Sequence, residues 1–319
     1  MRRLDVCICT HNPRRDVLLT VARSIASQTV PCGVFGVLLV DNCSIPALFE
    51  TDVQPIVEAG IDVRVVHEPI PGVIHARLRA VRETSAEWIL FVDDDNELAR
   101  DFIETGLRIA TSNTNFGCFG GKLLLADNLR PPKWVRRLLP FLGIKDAGDE
   151  SIVGLPDRWG LWEPPTAGAW VRRPMLELWR ARVTANTGAL RLGRIGGVDG
   201  ESLASCEDSL LMRGGAELGL AASYQPNLIL YHHLNPARFR FAYLMRLLYS
   251  YGTSHAVLDA ILPGRPSVPA YYRTTIDLLR LCADILKADA WGSWRYALCM
   301  VAYHVGAFKE YHRCVASVR

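Results

Sequence analysis

Three aspartates in succession, Asp93-Asp94-Asp95, follow the wholly apolar run Trp88–Val92. Like charges side by side repel, and an ordered chain tolerates them best where a cation neutralises them. Carboxylate oxygens are hard ligands that suit Mg2+ or Mn2+, ions held by one or two carboxylates together with substrate phosphates. In extended backbone alternate residues point the same way, so Asp93 and Asp95 are expected to face one ligand while Asp94 points elsewhere. The triplet equally suits an acidic turn ahead of a helix that begins near Asp101.

Other chemistry-bearing residues are spread along the chain. Asp41 follows Val37-Leu38-Leu39-Val40, where a carboxylate can accept from a base N–H or a ribose hydroxyl, or form a turn with Asn42-Cys43-Ser44. No glycine-rich phosphate loop follows the first strand, so phosphate charge must be met by metal and basic side chains. Arg77 lies in the first turns of a helix and is suited to bidentate pairing with a diphosphate, or to a surface salt bridge. Glu207 and Asp208 open a later helix, where carboxylates also favour the dipole. Successive helical side chains diverge by about 100°, so only one of them points into a given site. His232 and His233 end the last predicted strand, and alternation allows at most one of them as a ligand or phosphate partner.

The elements that must position these residues follow from periodicity. Strands are expected at Leu4–Cys9, Gly36–Val40, Ile61–His67, Trp88–Val92 and Phe116–Leu125, with helices at Asp16–Gln28, Ile74–Ser85 and Asp101–Ala110. This alternation implies βαβ units and a mostly parallel sheet with helices on both faces, an α/β, Rossmann-like fold. In such sheets ligands bind beyond the carboxyl ends of the strands, where Thr10, Asp41 and Asp93–Asp95 stand. From Leu129 to Pro165 a long loop region is expected, with one short helix at Trp134–Leu139. Order resumes at Ala169–Arg172, a helix runs from Glu207 to Leu218, and Leu228–His232 is a strand. After Pro236 the pattern is helical: Phe239–Ser250, Ser254–Ile261, Tyr271–Lys287 and Trp291–His312.

Composition narrows the class. Half of the 319 residues are hydrophobic and the net charge is +3, so charge implies no nucleic-acid partner. Nine cysteines without metal-type spacing argue for a reducing compartment. The N-terminus leaves no room for a signal peptide, and no apolar run is long enough to span a bilayer. The expectation is a cytoplasmic protein, at most touching the inner face of the membrane through the arginine-edged aromatic helices after Pro236.

Taken together, Val6–Arg14, Leu38–Ser44, Gly72–Arg77, Phe91–Asp95 and Glu207-Asp208 resemble, in order and spacing, the family 2 glycosyltransferases. The resemblance spans residues 4–233 and implies a glycosyltransferase A-type fold with a C-terminal helical appendage. It further implies an inverting reaction, a divalent metal (Mn2+ or Mg2+) and a nucleoside-diphosphate sugar donor, a UDP-sugar foremost. Carried over, Thr10, Asp41, Arg77, Asp93 and Asp94 bind the donor, and Asp95 binds the metal with His232 or His233 nearby. Asp208 is the general base, while Gly168, Trp170 and Glu207 lie on the acceptor side. Leu78 stands where many relatives have asparagine and Trp170 where a smaller polar residue is usual; both departures bear on the sugar and the acceptor. The acceptor class is a glycan, a lipid-linked acceptor or a small natural product. The implied domains are a catalytic region over residues 1–235, with a donor half at 1–127 and an acceptor half at 128–235, and a helical region at 236–319. A sugar nucleotidyltransferase, a haloacid dehalogenase-type phosphohydrolase and a non-catalytic membrane-surface scaffold are the rival readings. The first lacks its glycine- and arginine-rich loop here. The second needs a nucleophilic Asp on the first strand, and the third predicts loss of the acidic set.

Overall fold

A computed structural model describes residues 3–186, 188–192, 203–262 and 293–316. The expected helix at Tyr271–Lys287 lies outside the described residues. The chain divides into two compact units, one made of Met1–Asn128, Gly143–Ala181 and Asp208–Leu234, the other of Leu129–Leu142, Arg182–Glu207 and Asn235–Arg319.

The first unit is built on one sheet. Strands β1 (Leu4–Thr10), β2 (Phe35–Asp41), β3 (Asp62–His67) and β4 (Trp88–Asp93) run parallel in the order β3-β2-β1-β4. Beyond β4 the sheet turns mixed. β5 (Asn96–Leu98), β6 (Phe116–Leu125), β7 (Ile152–Gly154), β8 (Trp170–Arg172) and β9 (Ala221–His232) complete it. β8 is antiparallel to β4 and β6, whereas β9 is parallel to β6 and antiparallel to β5 and β7. The parallel part is therefore β1–β4, and the rest is mixed, with β9 parallel to β6 across a long connection.

Burial explains why those strands read as continuous apolar runs. Every residue of β2 is buried, as is β4 as far as Val92, because helices cover a parallel sheet on both faces. Helix α1 (Arg15–Ala26) buries Val17, Leu18, Val21, Ala22 and Ile25, one stripe at helical spacing. The crossovers α3 (Val73–Glu83) and α4 (Phe102–Ser112) present similar faces. The core joins Leu4, Val6 and Ile8 to Val37, Leu39, Trp88, Leu90, Phe119 and Trp170.

Two three-residue strands, β5 and β7, go unread in the sequence, since three residues show no period. In the Leu129–Pro165 region the short helix expected at Trp134–Leu139 is a 3-10 helix over Lys133–Leu142, and Ile152–Gly154 adds a strand beyond that expectation. The arginine-rich stretch at 172–182 lies largely in helix α5 (Arg173–Ala185). Its first arginines serve structure, Arg172 donating to the Thr114 carbonyl at 2.6 Å and Arg173 to the Ala86 carbonyl at 3.0 Å.

The second unit contains α8 (Phe241–Ile261), where the two helices expected at 239–250 and 254–261 run on without a break, and the helix Ser293–Ala316. Gly252 is buried within α8 and does not end it. Tyr311 donates its hydroxyl to Asp259 at 2.7 Å, and Arg191 pairs with Glu310 at 2.6 Å.

Candidate active site

The ladder register brings the polar strand ends side by side. Thr10 pairs with Asp41 across β1 and β2, and Cys9 pairs with Asp93 across β1 and β4. Three carboxyl-terminal strand ends thus present Asp41, Thr10 and Asp93 along one edge, the position at which doubly wound sheets bind ligands. The Thr10 hydroxyl donates to Asp94 across that edge.

Asp41 and Asn42 organise the end of β2. Asp41 Oδ1 accepts from the Ser44 N–H at 3.1 Å, and Oδ2 accepts from the Leu48 N–H at 3.0 Å and faces His67 Nδ1 at 3.2 Å. Burial alone would raise its pKa, but hydrogen bonds from Ser44, Leu48 and His67 outweigh this and hold the carboxyl below its ordinary value. Asn42, quoted in the sequence but given no role, proves to be a hub. It donates to the carbonyls of Glu68 and Ile70 at 3.1 and 2.7 Å, and its Oδ1 accepts from the Gly72 N–H at 2.7 Å. Its own N–H returns to the Thr10 carbonyl at 2.8 Å. One buried amide thereby links the ends of β1 and β3 to the start of α3, the helix that carries Arg77.

The aspartate triplet departs from simple alternation. Asp93 closes β4, but Asp94 and Asp95 form the turn into β5. The rule that Asp93 and Asp95 face one ligand while Asp94 looks away therefore stops at Asp93, and Asp94 instead takes the Thr10 hydroxyl. Arg77, 4% exposed, lies over the Phe91 ring with Nη2 3.9 Å from Asp93 Oδ1. Asp95 Oδ1 meets His232 Nε2 at 3.1 Å. The two histidines separate as strand alternation requires: His232 turns to Asp95, while His233 Nε2 meets Glu97 Oε2 at 2.7 Å. Of the two histidine side chains, that of His232 meets the triplet.

Among the described residues, no group of three or more His, Cys, Asp or Glu side chains is arranged to hold a metal alone. The Asp95–His232 pair nevertheless fits a divalent cation. It offers one carboxylate and one imidazole, the latter 5% exposed and with a buried Nδ1 that has no hydrogen-bond partner. Two protein ligands leave coordination positions for phosphate oxygens, as hard cations at such sites require.

The residues expected on the acceptor side divide. Gly168 adopts φ +76°, and a Cβ there would overlap the Leu230 side chain, so only glycine fits. Its N–H donates to the Phe91 carbonyl at 2.9 Å, two residues before Asp93. Trp170 is instead a core residue. It is fully buried, stacks on Phe119 with centroids 5.4 Å apart and occupies the space that a side chain at Gly106 of α4 would need. Its ring lines no surface, which corrects its expected place beside the acceptor. Glu207 is buried and Asp208 half-buried at the start of helix α6 (Glu207–Met212), where Asp208 Oδ1 accepts from the Ser209 N–H at 2.7 Å.

Residues 5–137 match the family described as glycosyl transferase family 2. The match covers less than half of the chain. The strand ends at Thr10, Asp41 and Asp93 fall inside the matched segment. No curated protein matches the sequence. Among solved structures, the fold resembles residues 1–349 of S. aureus TarS in complex with UDP, with a TM-score of 0.51 and 15% identity, over 98% of this chain and 91% of that one. It also resembles the mannosyltransferase PcManGT from Pyrobaculum calidifontis in complex with GDP-Man and Mn2+, with a TM-score of 0.52 and 15% identity, over 99% of this chain and 74% of that one. Against a longer TarS structure the TM-score is 0.50 at 15% identity; 96% of this chain is covered, spanning 55% of that one. At these identities the likeness is one of fold.

The family 2 reading leaves several residues of the site unassigned. Asn42, His67, Glu163, Ser209 and Arg213 received no role from sequence. For Ser209 and Arg213 a signal was present, since they follow Asp208 and stand at i, i+4 to each other. Glu163 carried a weaker one, as a lone acid enclosed by Trp162 and Pro164.

Proposed function

We propose that the chain is an inverting, metal-assisted transferase that moves a sugar from a nucleoside-diphosphate sugar, a UDP-sugar foremost, to a hydroxyl of a glycan or lipid-linked acceptor. The observation that carries this reading is the register alignment of Asp41, Thr10 and Asp93 at one sheet edge, followed at once by the Asp95–His232 pair. The solved neighbours with UDP, or with GDP-Man and Mn2+, support a nucleotide-sugar donor and a divalent cation.

In this reading the Asp41–Asn42 corner and Thr10 receive the nucleoside, while Arg77 and Asp93–Asp94 shape the side toward the ribose and diphosphate. Asp95 and His232 would hold the cation, which when bound neutralises charge on the departing diphosphate. Asp208 takes the proton from the acceptor hydroxyl as its oxygen attacks the anomeric carbon. The bond from that carbon to the diphosphate oxygen breaks, and its electron pair leaves with the diphosphate. Attack from the opposite face in one displacement inverts the anomeric configuration. A positioned base contributes roughly 10²–10⁴-fold to such a step.

We assign catalysis to the region within residues 1–235 and read residues 236–319 as the appendage. No helix among the described residues is long and apolar enough to cross a membrane. Peripheral contact at the inner face of the membrane is supported by exposed Trp294, Leu298 and Val305 on one helix, with Arg295 stacked on Trp294. Co-flotation with anionic liposomes at low salt tests that contact, and its absence removes it.

The enzymatic reading is tested by nucleotide release from a panel of UDP- and GDP-sugars with manganese. Release from one nucleotide class, lost in Asp208→Asn and in Asp95→Ala, is the expected result. Release that survives both substitutions contradicts the assignment.

A further inference from the structure

Helix α6 carries Asp208 but is only six residues long, and so short a helix has little stability of its own. Its orientation must come from what it packs against. Glu163 provides that contact: it is 6% exposed and directs one carboxylate oxygen at Ser209 of α6 and the other at Arg213, the residue that follows the helix. Oε1 accepts from the Ser209 hydroxyl at 2.7 Å, and Oε2 pairs with Arg213 Nη1. The Arg213 N–H closes on the Ser209 carbonyl at 3.0 Å, so helical geometry runs through both residues and places them on one face. Asp208, the residue before Ser209, stands about 100° around the helix from that face.

The loop holding Glu163 is itself pinned on the donor side. Lys145 Nζ donates to the Glu163 carbonyl at 2.6 Å, and the Glu163 N–H donates to the Gly160 carbonyl at 3.0 Å. Pro164 packs against Gly120 of β6, where a Cβ would approach to 2.8 Å. Two residues further on, Thr166 closes a turn with Ala169 at 3.0 Å, and Gly168 and Ala169 then bond to Phe91 at 2.9 Å on either side. Phe91 lies two residues before Asp93. A continuous run of short contacts therefore joins the strand that ends in the aspartate triplet to the helix that begins with Asp208.

We propose that Glu163 is a positioning residue: its two-oxygen grip on Ser209 and Arg213 fixes α6 so that Asp208 is aimed at the acceptor oxygen. The role rests on the reading of Asp208 as the base. A catalytic group displaced by about 1 Å costs on the order of 10²-fold in rate, so loosening the grip lowers turnover and leaves donor binding in place.

The test uses the full chain with manganese and UDP-glucose, UDP-N-acetylglucosamine or GDP-mannose, water serving as the acceptor. Glu163→Gln removes the charge that faces Arg213. Ser209→Ala removes one hydrogen bond without leaving a buried charge unpaired, and so guards against misfolding. Expected are a kcat lowered on the order of 10²-fold in Glu163→Gln and less in Ser209→Ala, an unchanged KM for the donor, and an unchanged thermal shift with UDP. Glu163→Gln combined with Asp208→Asn should be no slower than Asp208→Asn alone. Hydrogen exchange over residues 207–212 should quicken in both single variants while that of β1 and β4 holds. Wild-type turnover and exchange in both variants, beside an impaired Asp208→Asn, overturns the positioning role alone. So does donor binding that falls in step with turnover. Wild-type turnover in Asp208→Asn overturns the base assignment together with it.

Discussion

Asp95 Oδ1 stands 3.1 Å from His232 Nε2, and the backbone enforces the approach. The His233 N–H donates to the Asp95 carbonyl at 2.8 Å, and Asn96 pairs with His232 in the β5–β9 ladder. The turn after β4 and the end of β9, distant in sequence, are thereby locked together before any ligand arrives. Asp95→Ala should abolish the manganese-dependent part of any thermal shift with nucleotide, and His232→Ala should weaken it. Differential scanning fluorimetry with manganese and with EDTA distinguishes this from simple loss of fold, since the shift without metal should not change.

Asn42 bonds to three backbone groups from a position 1% exposed. Replacement by alanine orphans the Gly72 N–H and two carbonyls, and a buried group left unpaired costs about 1–3 kcal/mol. Asn42→Ala is expected to lose about 3 kcal/mol in urea unfolding and to bind nucleotide more weakly. Loss of binding with full stability would instead make Asn42 a direct ligand contact.

Trp170 fills the space above Gly106, so its substitution should act through the core. Trp170→Ala is expected to cost about 3–5 kcal/mol, measured by chemical denaturation, and Trp170→Phe considerably less with acceptor preference unaltered. A change in acceptor preference in a stable Trp170→Phe protein would return this residue to the acceptor site.

Burial of Lys145 lowers its pKa from 10.5 to about 8, against the partial opposition of Glu163. Because the folded value lies below the unfolded one, the unfolded chain holds more protons between these values, and stability rises with pH across that window. Below about pH 8 both states are protonated and the folded state carries the whole desolvation cost. Relative to Lys145→Met, the wild type should therefore gain stability from pH 8 to 10.5, by up to about 3 kcal/mol. Denaturation midpoints of the two proteins across this range provide the check, and a constant difference would contradict it.

Which parts of the fold could be read in the sequence follows from burial. Trp88–Val92 and Val37–Val40 are apolar throughout because they are covered on both faces, and the polar residues that follow them, Asp93 and Asp41, mark the carboxyl-terminal edge of the sheet directly. The rest depended on partners far away. That Asp94 meets Thr10 follows from a turn that ends strand alternation at Asp93. That Trp170 is a core residue follows from the absence of a side chain at Gly106, on another element. Glu163 gains its meaning only when the fold brings Ser209 and Arg213 to it. Three-residue strands such as Ile152–Gly154 carry too few positions to show a period.

The central claim is that this sheet edge holds a nucleoside diphosphate with a cation on Asp95. Calorimetric titration of UDP and of GDP into the wild-type chain and Asp95→Ala, each with manganese and with EDTA, tests it most directly. The account predicts binding of one nucleotide to the wild type with manganese, weakened at least about tenfold, or 1.4 kcal/mol, by chelation or by the substitution. Equal affinity in all four conditions, or no binding of either nucleotide to the folded wild type, would contradict it.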